Sequence, residues 1–250
     1  MNTNLHQEKL PNAPLQEVVF ELLWELGSDE QGFPHDEDFD FAQGVFADLT
    51  KDKFPFRKKT PFNNAPFRAY PVPVHQFWKA ENVWPVLQIG HGLLVVNDVE
   101  ANYTWKNYKK LIHEVIKLLM KAYQKELTFK TIKLKYIDAY ETGDENRIDF
   151  INKNFNLKLV NNFLDNDSPE NINLSQTFRL ENADFLETTL STGYSPANKP
   201  AIIWQSTVYR EDKLTKDQLF SWLDNAHETA SRHFKTFVTK DFYAKFTEKK

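Results

Sequence analysis

The chain contains no cysteine, which excludes disulfides, thiolate nucleophiles, Cys-ligated zinc and iron–sulfur clusters together. Glycine is scarce, seven residues in 250, and none stands in a G-x-G-x-x-G or P-loop pattern, so the backbone cradles of nucleotide enzymes are missing. No apolar run is long enough to span a bilayer. The opening MNTNLHQEKLPN has no charged n-region followed by an apolar h-region, and no secretory signal is expected. A basic excess is lacking too: the net charge is -4 and the pI about 6.0. Proteins that displace counterions from nucleic acid or bind anionic membranes carry the opposite balance. The expectation is a cytoplasmic protein with no membrane partner; general nucleic-acid binding is disfavoured, and local basic patches leave it open.

What the chain does hold is aromatic. With 21 Phe, 9 Tyr and 6 Trp, 41% hydrophobic and 26% charged residues, it is globular and long enough to bury a sizeable core. Two segments read as amphipathic helices. In Tyr103–Leu127, Tyr108, Leu111, Ile112, Val115, Leu118, Leu119, Ala122 and Tyr123 form one apolar stripe and the lysines take the other side. In TKDQLFSWLDNAHETASRHFKTFV, Thr215 and Gln218 stand at capping-box spacing ahead of Leu219, Trp222, Leu223, Ala226, Ala230, Phe234 and Phe237. Each follows a strand-like run, VLQIGHGLLVVND and AIIWQSTVYRED.

A constant shift of 114 residues lays one half of the chain on the other. His113-Glu114 falls on His227-Glu228, Tyr108 on Trp222 and Tyr123 on Phe237. Phe41, Val45, Phe46 and Leu49 fall on Phe155, Leu159, Val160 and Phe163, a helical spacing twice over. Val18, Phe20 and Leu22 fall on Ile132, Leu134 and Tyr136. The last match decides an ambiguity, because LQEVVFELLWE fits a helical stripe and an alternating strand equally well. Its partner FKTIKLKYIDAY alternates apolar residues with Thr131, Lys133 and Lys135 and reads only as a strand.

The expected fold is therefore α+β: a single domain over 1–250 made of two pseudo-repeats, about 12–127 and 128–240. Each would run β-α-β(2–3)-α, with a mainly antiparallel sheet and two long helices packed on one face, helix-grip or saddle-like. In the second half NINLSQTFRL and ADFLETTLSTGY supply strands. In the first, FPFRKKTPFNNAPFRAYPVPVHQFWKAENVWP is punctuated by prolines, which leaves an extended loop and an edge strand around Val74–Lys79.

Three groups of residues invite chemistry. HDEDFD, His35–Asp40, alternates carboxylates like a calcium loop, but Phe41 replaces the sixth-position glycine and Ala47 the closing glutamate. The simpler reading is that Asp38 or Asp40 caps a helix over Phe41–Thr50. His113 and His227 precede glutamates, but Lys117 and Ser231 stand where H-E-x-x-H needs its second histidine. His227 borders an apolar stripe, with Asp224 one turn back as a partner. Gly90-His91-Gly92 sits in a strand pattern, where glycine marks a bulge or a close backbone approach. The basic stretch interleaves Arg57, Lys58 and Lys59 with phenylalanines, as a phosphate or single-stranded nucleic-acid site would. Together with Phe62, Arg68 and Tyr70 it is the candidate interaction loop. Lys130, Lys133 and Lys135 read as a solvated strand face. No catalytic, cofactor-binding or metal-ligating set emerges, and no G-x-S-x-G elbow is present.

The N-A-P-L-x-E opening at Asn12–Glu17, the G-L-x-x-V-N run at Gly92–Asn97 with Y-x-W-x-x-Y at Tyr103–Tyr108, and H-E-x5-F at His227–Phe234 resemble a sporadically distributed, functionally uncharacterised bacterial family of about this length. The resemblance covers nearly the whole chain and carries no catalytic residues to transfer. It implies a bacterial cytoplasmic protein, and its sporadic distribution suits a defence or conflict accessory. The leading expectation is a non-enzymatic recognition module with a protein partner. The alternatives are a small apolar ligand between sheet and helices, or an enzyme assembling His91, His113 or His227 with glutamates in space.

Overall fold

The structure, a computed structural model, describes residues 10–60, 71–99, 101, 103–160 and 169–248. Strands and helices follow in the order β1 (Leu15–Trp24), β2 (Gly27–Ser28), β3 (Pro34–His35), α1 (Phe39–Thr50), β4 (Phe56–Lys59), β5 (His75–Ala80), β6 (Val83–Gly90), β7 (Leu93–Val99), α2 (Trp105–Tyr123), β8 (Phe129–Glu141), α3 (Arg147–Asn154), β9 (Asn173–Arg179), β10 (Asp184–Tyr194), β11 (Pro200–Leu214), α4 (Lys216–Phe237) and α5 (Lys240–Thr247). This is an α+β protein with a large antiparallel sheet in the order β4-β5-β6-β7-β1-β8-β11-β10-β9, while β2 and β3 pair by themselves. Among the described residues no helix is long and apolar enough to cross a membrane.

The chain divides into two compact units, and neither is a continuous stretch. Unit I is Val18–Leu134 with Tyr209–Asp224; unit II is Met1–Glu17, Lys135–Val208 and Asn225–Lys250.

Unit I is built on the meander β4 to β7. The β6–β7 hairpin turns at His91-Gly92, with Gly90 opposite Leu93. Gly92 has a φ of +69°, a conformation that glycine adopts at little cost. Gly90 answers to a different constraint: a Cβ there would lie 2.1 Å from the Val72 carbonyl oxygen. The close approach expected at this glycine pair is real, whereas the run is two strands and a turn rather than one strand. Helix α2 starts at Thr104, whose side chain accepts from the Asn107 N–H, and ends at Gln124 in the left-handed region. Its buried stripe is Tyr108, Ile112, Val115, Ile116, Leu119, Ala122 and Tyr123. The Tyr108 hydroxyl donates to the Val96 carbonyl at 2.6 Å, fixing the helix to β7. Helix α1 packs against α2, and its Phe46 meets Phe77 of β5 edge-on at 5.4 Å. At α4, Thr215 and Gln218 form the reciprocal capping box that their spacing predicts.

Unit II surrounds an aromatic core. Tyr140, Phe155, Phe242 and Phe246 are buried in one cluster, and Trp204 stacks on Phe237 at 4.5 Å. Helix α5, which the sequence reading did not foresee, inserts Phe242 and Phe246. The Asn12 amide donates to the carbonyls of Glu248 at 2.6 Å and Lys245 at 3.2 Å. The asparagine of the N-A-P-L-x-E opening is thus a C-terminal cap for α5.

Several expectations need correction. Helix α1 begins two residues early: Phe39 turns inward, and Phe41 is 82% exposed. The buried set Phe39, Ala42, Phe46 and Ala47 replaces Phe41, Val45, Phe46 and Leu49, because Phe39 finds His91 and His75 to stack on. The proposed counterpart at Phe155–Phe163 is not helical through its described residues. Asn146 caps the N–H groups of Ile148 and Asp149, so α3 runs earlier and stops at Phe155, which bridges to Val238. Val160 is exposed, and Phe163 lies outside the described residues. The strand expected around Val74–Lys79 is β5, but it lies between β4 and β6, and the edge is β4. Lys133 is not on a purely solvated face, since its ammonium lies over the Tyr209 ring.

Gly90→Ala must push the Val72 backbone aside. The expected loss is about 1–3 kcal/mol of stability, read as a lowered Tm, whereas Gly44→Ala, which has open space around it, leaves Tm unchanged or raises it.

Candidate functional site

The basic triad falls on the edge strand rather than in a loop. β4 pairs with β5 in the register Phe56↔Trp78, Arg57↔Phe77, Lys58↔Gln76 and Lys59↔His75. The Thr60 N–H donates to the Val74 carbonyl in the same register, so hydrogen-bonded pairs fall at 60, 58 and 56 and the alternate residues face away. The backbone groups of Arg57 and Lys59 therefore point away from β5, where no strand pairs with them among the described residues, and all three basic side chains are exposed. Arg57 also has a structural duty, because its guanidinium donates to the Ala47 carbonyl at 3.0 Å. Phe62, Arg68 and Tyr70 lie outside the described residues.

The acidic loop has a role its motif did not suggest. Asp38 occupies the N-cap position of α1 but makes no side-chain cap; its carboxylate pairs instead with Lys125. Asp36, 5% exposed, accepts from the Tyr123 hydroxyl at 2.6 Å and from the Gly92 N–H at 3.4 Å. Tyr123 meets Trp24 edge-on at 5.3 Å. Burial and the bond to Asp36 push the Tyr123 phenol well above its ordinary range, so it stays a neutral donor. A cleft of about 130 Å³ opens beside this cluster, lined by Trp24, Glu25, His35, Asp36, Glu37 and Lys125 among others. Its carboxylate already has two donors, which makes the cluster a clamp for the end of α2 and the β6–β7 turn. No linear pattern announces it, since Asp36 and Tyr123 are 87 positions apart.

The histidines are held in separate settings. His91 lies against Phe39 at 4.2 Å; burial lowers its pKa, with Asp36 and Asp40 pulling the other way. His113 lies against Phe220 at 4.3 Å, lowered by burial and by Lys109 and Lys117 against the pull of Asp224. His227 faces Tyr136 of β8. Its Nδ1 is 2.8 Å from the Tyr136 hydroxyl, while Asp224 binds Lys109 and accepts from the Trp105 indole. Among the described residues no cluster of three His, Asp or Glu side chains is arranged to hold a metal.

Unit II contains the most strongly perturbed carboxyl. Asp138 is 4% exposed, and burial alone raises its pKa from 3.8 to about 7. Two residues on, the Tyr140 hydroxyl is buried without a hydrogen-bond partner among the described residues, as is Nε2 of His233. Buried polar groups in that condition cost stability, and they recur where a fold retains them for another purpose.

The chain matches no known protein family, no characterised protein and no solved structure.

Tyr123→Phe leaves Asp36, among the described residues, with the Gly92 N–H alone and is expected to cost about 1–3 kcal/mol in chemical denaturation. For Asp138 the pH sign is definite. Below about pH 4 the carboxyl is neutral both folded and unfolded; between 4 and 7 only the unfolded chain ionises, so stability falls as pH rises, and above 7 the loss is complete. Asp138→Asn is expected to be more stable than the wild type at pH 8 by up to about 4 kcal/mol, with the difference vanishing near pH 4. An unchanged difference across that range would refute the assignment. The buried histidines act in the opposite direction as pH falls below about 6.5, which is why the variant must be read against the wild type at each pH.

Proposed function

We propose that the chain is a non-enzymatic recognition module of a bacterial cytoplasmic system, a defence or conflict accessory, whose protein partner lays an acidic extended segment along β4. The observation that carries this reading is the edge itself, which has no strand partner beyond β5 among the described residues. Arg57 and Lys59 turn their backbone N–H and C=O outward while Arg57, Lys58 and Lys59 present positive side chains. Strand addition supplies affinity through main-chain bonds, and the charges select an acidic sequence. Lysines on an edge also discourage pairing with a like strand, and an acidic partner turns that repulsion into selectivity. The histidines support a non-catalytic reading, because their rings are engaged with Phe39, Phe220, Tyr136 and Trp204.

The same reading takes the chain as a duplicated, saddle-like fold with its long helices on one face of the sheet. Support comes from β1 and β8, and from α2 and α4, which stand 114 positions apart, and from the order of strands. In that order the first strand of each half neighbours the last strand of the same half: β1 beside β7, and β8 beside β11.

The test is co-purification from a bacterial host with quantitative mass spectrometry, comparing the wild type with Lys58→Glu/Lys59→Glu. Arg57 is left in place because it holds α1. A stoichiometric partner, lost in the variant and released by salt, is the expected result. Recovery of the wild type alone, or equal recovery of the partner by a folded variant, would overturn the reading.

A further inference from the structure

The opposite end of the sheet is built differently. β9 reads NLSQTFR, seven residues with neither lysine nor proline, and all but Leu174 are exposed. Proteins ordinarily protect an edge of this length with charge, proline, a bulge or a cover. The register of β9 on β10 is regular from Arg179↔Phe185 to Asn173↔Ser191, so no bulge turns it aside. The Leu180 N–H donates to the Asp184 carbonyl at 2.8 Å and the Thr192 N–H to the Ile172 carbonyl at 3.0 Å. Both bonds belong to that register, which makes the even-numbered residues of β9 the ones bonded to β10. Asn173, Ser175, Thr177 and Arg179 therefore present their N–H and C=O groups outward, and no partner for those groups is found among the described residues.

We propose that β9 is the docking surface for a second copy of this chain, strand against antiparallel strand, about a two-fold axis at Gln176. The sequence is self-complementary about that point. An axis at Gln176 sets Ser175 opposite Thr177 of the other copy and Asn173 opposite Arg179, so that outward backbone groups meet outward backbone groups. It also sets Leu174 opposite Phe178, the two apolar side chains of the strand, in the closer, non-hydrogen-bonded kind of pair. Phe178 is 45% exposed in the single chain, and this pairing covers it. An axis one residue to either side sets Leu174 or Phe178 against Gln176 and loses the match. No like charges face one another, since Arg179 meets Asn173 and lies over the Phe185 ring of its own hairpin. The same operation at β4 would set cations against cations. The two edges are thus distinguished by charge: β4 rejects its own kind and β9 accepts it. A contact of one strand buries little area, so the dimer is expected to be in the micromolar range.

The absence of cysteine makes the test direct. Gln176→Cys places a lone thiol on the axis, where it meets its own copy. Under mild oxidation it is expected to form a covalent dimer at least about tenfold faster than Ser221→Cys on the exposed face of α4, because pairing raises the effective thiol concentration. Ser175→Cys, off the axis, should be slow as well. Sedimentation of the unmodified chain should show a concentration-dependent dimer that Thr177→Pro abolishes. The Thr177 N–H takes no part in the β10 ladder, so this proline leaves the hairpin intact, and Gln176→Lys repeats the test through like charges across the axis. The proposal is overturned by a chain that sediments as a monomer throughout, with Gln176→Cys no faster than Ser221→Cys; the edge would then be one for a foreign strand. A dimer that survives both Thr177→Pro and Gln176→Lys overturns it equally.

Discussion

Every backbone N–H and C=O of a sheet must be paired or left to water, and an open sheet always has two strands that are paired on one side only. That constraint governs much of what is distinctive here. The β5–β6, β6–β7 and β9–β10 pairs hold continuous registers, apart from a slip between Trp78 and Ala80. The outer strands carry the chain's most legible surface chemistry: three consecutive cations on one, and on the other a mixed polar and apolar row whose one charge is Arg179. Side chains are what a short edge strand has for choosing its neighbours, because the main-chain groups it offers are the same in every protein.

The interior contains the same contrast in another form. Asp36 and Asp138 are both almost wholly withdrawn from water. The first is met by a phenol and a backbone N–H and becomes the fastening point for the end of a helix. The second is two residues from a tyrosine hydroxyl that has no hydrogen-bond partner among the described residues, and burial raises its pKa to about 7.

How much of this could be read beforehand depended on how local the signal was. β8 was legible because lysines alternate with apolar residues along it. The ambiguous run of β1, buried on both sides over much of its length, was settled only by that partner. The cap of α4 needs just Thr215 and Gln218, three positions apart, and it is there as read. Helix α1 was misphased because Phe39 and Phe41 both suit an apolar stripe, and the choice between them is made by His75 and His91 on distant strands. α5 is short, and its inward faces, Phe242 and Phe246, complete a core assembled from four other parts of the chain. The basic residues were picked out correctly as exposed, yet prolines nearby concealed that they form a strand. Asp36 had no signature at all, since its partners come from the far end of α2 and from a hairpin turn.

The bond from Asn12 to the carbonyl of Glu248 spans 236 positions, and it bears on how the molecule emerges from a ribosome. Unit II needs its first residues, its middle and its last helix together, and unit I needs residues up to Asp224. Neither can close its core while the chain is half made. The N-terminal strand must wait, apolar on both sides, for partners synthesised long after it, a period in which a chaperone or the growing chain itself has to shield it. Cutting the gene between residues 127 and 128 would yield two pieces that each lack strand segments their unit requires.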